Sequence, residues 1–129
     1  MPLIRVDMLK GRDKDEIAKI LDAIHRAVVA AFRVPLRDRY QIVSEHERSH
    51  MVMQDTGLNL DRSDAALMIS VTSRARTETD KVRFYSLVCH ELADACGIDS
   101  SDVMISFSLN GDADWSFGLG RAQFITGEL

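Results

Sequence analysis

The feature that most limits the fold is internal: the chain repeats its hydrophobic pattern at a constant offset of 64 residues, with no gap. Leu3–Met8 (LIRVDM) is a short β-prone run. Ile17, Ile20, Leu21, Ile24, Val28 and Ala31 then recur at helical spacing, and Tyr40–Val43 (YQIV) is a second β-prone run. The same offset gives Leu67–Thr72 (LMISVT), then Phe84, Tyr85, Val88, Leu92 and Ala95 at helical spacing, then Met104–Phe107 (MISF). Asp13 and Thr77 coincide as helix N-cap candidates, because their side-chain oxygens can accept the free N–H groups of a first turn. Asp38 and Asp102 coincide ahead of the second strand of each unit. Identity between the halves is low, so the pattern carries the repeat.

Strand, long helix and strand make a β-α-β unit with parallel strands. Two units, roughly residues 2–44 and 66–108, predict a single α+β domain of two layers over residues 1–129. Its four-stranded sheet carries two helices on one face. The opposite face is then bare, with Ile4, Val6 and Met8 or their alternates, and Ile69, Val71, Ile105 and Phe107, as candidates to line it. A bare apolar sheet face predicts closed association, as a trimer or hexamer. Residues 45–65 connect the units, with Met51–Met53 as a possible extra strand, and residues 110–129 form a C-terminal hairpin or tail that starts with a turn signal at Asn110-Gly111.

The net charge of -4 argues against a nucleic-acid partner. No apolar run approaches the roughly 20 residues of a membrane span, and the first residues lack the apolar core of a signal peptide, so the cytoplasm is the expected compartment. Cys89 and Cys96 fall on one helix about 10 Å apart, too far for a disulfide, and read as reduced core thiols. His46-Glu47-Arg48-Ser49-His50 matches the H-E-x-x-H zinc pattern, but it follows a strand and lacks a third ligand. No metal and no cofactor is expected. His25 and His90 are placed on helix surfaces or edges.

Pro2 follows the initiator methionine, which is normally removed before a small residue. Its freed secondary amine could act as base, acid or iminium-forming nucleophile; alternatively Pro2 merely begins a strand. Arg74 and Arg76 follow the strand at Leu67–Ser73. Alternate residues of an extended segment point the same way, so two guanidinium groups can converge on one carboxylate, unless the segment is a solvated basic loop.

The stretches PLIRVD, VPLRDRYQIV, VTSRAR and NGDADWSFGLGRAQFITGEL resemble the tautomerase superfamily over the whole chain, most closely its malonate semialdehyde decarboxylase branch. The resemblance implies that Pro2 is the catalytic amine, Arg74 and Arg76 the carboxylate-binding pair and Asp38 the active-site aspartate. It further implies that Trp115 and Phe117 line the pocket, that Phe124 and Leu129 close it, and that the subunits form a homotrimer. The expected substrate is a small carboxylate, malonate semialdehyde, converted to acetaldehyde and carbon dioxide. Hydratase, dehalogenase or tautomerase activity on unsaturated or 2-oxo acids is the alternative, as is a non-catalytic trimeric binding protein. Arginines near Pro2 lower its pKa and an Asp38 carboxylate raises it; with Asp38 present, the ammonium is the expected form.

Overall fold

The computed structural model describes residues 1–129. Strand β1 (Leu3–Leu9), helix α1 (Lys14–Phe32) and strand β2 (Tyr40–His46) form the first unit. Strand β3 (Leu67–Arg74), helix α2 (Glu78–Cys96) and strand β4 (Val103–Asn110) form the second. The bounds of α1 and α2 differ by the 64-residue offset at both ends. The sheet order is β2-β1-β3-β4; each unit pairs its own strands in parallel, and β1 meets β3 antiparallel.

The helices begin where the sequence places their caps. Asp13 accepts from the Glu16 N–H at 2.8 Å, and Glu16 returns a bond to the Asp13 N–H, a capping box that satisfies two free donors. Thr77 accepts from the Asp80 N–H at 3.1 Å. Gly97 ends α2 at a φ of 65°, a left-handed conformation that costs glycine nothing.

Ile4, Val6 and Met8 of β1, and Leu67, Ile69 and Val71 of β3, point into the helical layer and are buried. They meet Ile20, Ile24 and Val28 of α1 and Phe84, Val88 and Leu92 of α2 in one core. Phe84 is fully buried, with ring centroids 5.0 Å from Phe32 and 5.8 Å from Phe107.

Several expectations are corrected here. The helices cover the Ile4–Val6–Met8 face, and Ile105 and Phe107 also pack against that core, so the open face is the alternate one. It carries Leu3, Arg5, Asp7, Tyr40, Ile42, Met68, Ser70 and Met104, and is therefore mixed rather than uniformly apolar. Met51–Met53 is not a strand. The chain does not reverse at Asn110-Gly111; the tight turn falls at Gly118–Arg121, where Leu119 and Gly120 both have positive φ. Tyr85 and Ala95 lie outside the buried stripe of α2. His25 is buried, not at a helix surface. Cys89 and Cys96 are free and half-buried, and burial pushes both thiols up.

Phe84→Ala is expected to lower unfolding stability by about 3–5 kcal/mol in denaturant titrations, since it leaves a cavity between the two helices and the sheet. A loss under about 1 kcal/mol, an exposed-site value, would contradict this account of the core.

Candidate active site

The start of β1 is fixed between two neighbours. On one side Leu3 pairs with Tyr40 at the beginning of β2, and the loop just before it carries Asp38. On the other side Leu3 pairs with Thr72 of β3. Continuing that antiparallel register sets Pro2 beside Ser73 and Met1 beside Arg74. The chain's first residues therefore lie between an aspartate and the end of β3, where Arg74 and Arg76 project.

Asp38 is held by its surroundings. Its N–H donates to the Pro35 carbonyl at 3.0 Å. Two residues earlier the Leu36 carbonyl lies 2.6 Å from Nε2 of buried His25, and because a carbonyl only accepts, that nitrogen donates. The Asp38 carboxylate accepts a hydrogen bond from the amino group of Met1. With Met1 present, Pro2 is buried directly behind it. The amine that contacts Asp38 thus stands one residue ahead of the amine that processing would create.

The Met1 amine has its pKa lowered from the ordinary α-amino value. Burial is the main cause. The hydrogen bond it donates to Asp38 and then the charge of that carboxylate oppose it, and the charges of Arg76 and Arg74 add smaller downward pulls. Arg76 is itself drawn below the ordinary guanidinium value, first by burial and then by Arg74. Two cations and one amine share this corner, an arrangement stabilised by an anion.

Arg76 Nε donates to the hydroxyl of buried Ser73 at 3.2 Å, and its guanidinium lies 4.9 Å above the Phe32 ring. Arg74 lies 3.7 Å over the ring of Phe124 and donates through Nη1 to Asp112 at 2.9 Å. The two arginines line a cleft of about 410 Å³ with Asn110, Gly111 and Asp112. A second cleft, of about 510 Å³, is lined by Met1, Asp38, Tyr40, Phe117, Gln123 and Leu129, among others.

An aromatic train connects the clefts. Phe117 stacks on Trp115 at 5.4 Å, packs on Tyr40 at 5.7 Å and meets Phe124 edge-on at 5.5 Å. Trp115 Nε1 donates to Asn110 at 2.7 Å. Buried Gln123 fixes the tail: it donates to the Gly118 carbonyl at 2.8 Å and accepts from the Phe117 N–H at 2.9 Å.

Phe117 and Leu129 thus line the cleft that holds the chain start, while Trp115 and Phe124 line neither cleft and support it from behind. Sequence reasoning missed Tyr40, Ser73, Asp112 and Gln123. Tyr40 was signalled by its place two residues after Asp38 at the head of a strand. Gln123 gave no signal, because its bonds depend on how the tail folds back. The H-E-x-x-H histidines do not share a helix face: His46 ends β2, 2.6 Å from Asp7, and His50 lies in a 3-10 turn beside Ser49. No helix is long and apolar enough to cross a membrane.

Comparison with known proteins gives a consistent picture. Two family models described as "Tautomerase enzyme" match, one over residues 38–118 and one over residues 2–60. The "Probable tautomerase YrdN" of Bacillus subtilis (strain 168) is 50% identical over 129 residues, covering all of both chains. A crystal structure of malonate semialdehyde decarboxylase, described in terms of its decarboxylase and hydratase activities, has a TM-score of 0.97 at 49% identity, covering 98% of each chain. Another, inhibited by 3-bromopropiolate, has a TM-score of 0.94 at 39% identity, covering 98% of this chain and 97% of that one. A fused 4-OT symmetric trimer shares the fold, at a TM-score of 0.78 and 19% identity over 97% and 98% of the chains.

In protein produced with methionine aminopeptidase inhibited, the Met1 amine should titrate below the ordinary α-amino range of about 7.7–8.0. Asp38→Asn should lower it further, because that carboxylate pulls upward. NMR titration of the amine measures both, and a rise in the Asp38→Asn protein would overturn the assignment of causes.

Proposed function

The chain belongs to the tautomerase family, and from that premise we propose that it decarboxylates a small 3-oxo acid, malonate semialdehyde, to acetaldehyde and carbon dioxide. Pro2, exposed once Met1 is removed, is the catalytic amine in this reading. The observation that carries it is the position of the chain start, with its amine beside Asp38 and within the electrostatic reach of both Arg74 and Arg76. The likeness to two malonate semialdehyde decarboxylases, at 49% and 39% identity, supports the choice of substrate.

Processing changes the amine's electrostatics. Removing Met1 makes the Pro2 nitrogen the chain's amine in place of the one that burial depresses. Each of Asp38's two upward effects on the Met1 amine outweighs either arginine's downward one. In this reading the Pro2 nitrogen is less buried than the Met1 amine, so that Asp38 raises its pKa and holds it as the ammonium. Arg74 and Arg76 bind the substrate carboxylate and hold it out of the plane of the neighbouring carbonyl. The Pro2 ammonium donates a hydrogen bond to the carbonyl oxygen, where charge develops. The carbon–carbon bond then breaks, its electron pair passes into the carbonyl group as an enolate, and carbon dioxide leaves. The enolate takes a proton at carbon from the Pro2 ammonium to give acetaldehyde, and the neutral Pro2 amine regains a proton from water. Phe117, backed by Trp115 and Phe124, supplies an apolar wall against which a neutral product is favoured over a carboxylate. Asp38 keeps the amine charged; it could also orient a water for addition to unsaturated acids, giving hydratase activity.

A second reading has its own support. Where burial persists, the amine is shifted toward the free base, which suits keto–enol tautomerisation of a 2-oxo acid, and the YrdN relative carries a tautomerase name. A non-catalytic binder on this fold would not need the amine at all. The open sheet face, with Tyr40, Ile42 and Met104 exposed, is the surface on which we place a homotrimer, the assembly of the fused 4-OT relative. Free, half-buried cysteines fit a cytoplasmic location.

The test is a panel of malonate semialdehyde, 2-oxo-3-pentynoate, 3-haloacrylates and phenylpyruvate, run with intact-mass measurement. We expect loss of one methionine and the highest kcat/KM on malonate semialdehyde, constant through neutral pH and falling as pH rises through the raised amine pKa. Higher efficiency on phenylpyruvate, rising with pH, would favour the tautomerase. Pro2→Ala should cost about 10²–10⁴-fold in kcat. Arg76→Ala should abolish saturation by the carboxylate. Wild-type rates in either variant would remove that residue from the mechanism.

A further inference from the structure

The arginine pair is not electrically empty. Arg74 donates through Nη1 to the Asp112 carboxylate at 2.9 Å, while its buried Nε has no acceptor at all. Arg76 meets no carboxylate; its Nε is bonded only to the Ser73 hydroxyl. Asp112 lies in the short 3-10 turn after β4 and lines the same cleft as both arginines. The neighbouring acid in that turn, Asp114, is occupied elsewhere, accepting from the Gly111 N–H at 2.8 Å. Asp112 therefore stands alone as a carboxylate facing the guanidinium groups from β4's end of the cleft.

We infer that Asp112 is a specificity-determining residue, an internal carboxylate that pairs with Arg74 and competes with the carboxylate of a small monoanionic substrate. The inference rests on the reading of Arg74 and Arg76 as the carboxylate site. Its physical content is simple. A guanidinium that already faces one anion attracts a second more weakly, and the ion pair must loosen or share its donors when substrate arrives. The pair is half-exposed, so solvent keeps the competition modest, and its strength is that of a surface ion pair. Holding Arg74 over Phe124 is the compensating benefit, since the fork is kept near its working place.

The test is calorimetric binding of propionate and of its neutral isostere propionamide to the processed protein. Asp112→Asn keeps an acceptor oxygen and removes the charge. It should bind propionate about two- to fivefold more tightly, the range set by the worth of an exposed ion pair, with propionamide unchanged. Asp112→Ala should move propionate the same way, and Asp114→Asn, a control in the same turn, should not move it. Unchanged or weaker propionate binding by Asp112→Asn, or an equal gain for propionamide, would overturn the proposal. Propionate binding that survives Arg74→Ala and Arg76→Ala intact would instead remove the arginine site itself, so the two failures read differently.

Discussion

Everything in this molecule depends on the antiparallel seam between β1 and β3. It joins the two β-α-β units into one sheet, and it fixes the distance between the first residue of the chain and the last residues of β3. A ladder in which Val6 faces Ile69 leaves Met1 opposite Arg74 and Pro2 opposite Ser73. Slipping it by one residue would turn Ile4, Val6 and Met8 out of the core while β3 kept its own buried residues in place, so the core enforces the register. The amine and the guanidinium groups are thus brought together by hydrophobic burial some way from the site.

The repeat explains why there is one such site and not two. The offset that relates Asp38 to Asp102 also relates Arg76 to Arg12, and Met1 to Ala65. In the second position the chain does not begin but passes through. Asp102 is buried and accepts from the N–H and hydroxyl of Ser63, both at 2.6 Å, where Asp38 meets a free amine. Arg12 donates to the Ala65 carbonyl at 2.7 Å, where Arg76 faces an open cleft. The same groups that make a reactive corner in one unit fasten the connecting segment in the other. A cavity of about 300 Å³ remains beside Arg12, bordered by Cys96 where the first unit has the larger Phe32 beneath Arg76.

Legibility followed the range of the interactions. Helix starts were readable because caps are local: Asp13 and Thr77 bond residues three positions away. The strand pattern was readable because burial of one face imposes a period of two. Which face the helices cover was not, since Ile4, Val6 and Met8 and their partners look alike to a reader who has no packing partner in view. His25 was misplaced for the same reason; its carbonyl partner lies in the loop after the helix. Of the site, Pro2, Asp38, Arg74 and Arg76 were nameable from charge and position together with the family resemblance. Asp112 and Gln123 were not, because their roles exist only after the tail has folded back onto the sheet.

The tail and the connecting segment deserve to be compared on that point, because the offset sets them in equivalent places after β4 and β2. The segment after β2 is spent on returning the chain to β3, and its Met51 and Met53 stand where the tail has Trp115 and Phe117. The tail's turn at Leu119-Gly120, left-handed at both residues, reverses it, and Gln123 locks the reversal from inside. It spreads aromatic rings between Tyr40 and Arg74 and closes one side of the chain start. The two units thus differ most where the tail folds back: its aromatic rings lie against Tyr40 and Arg74, while the connecting segment leads into β3.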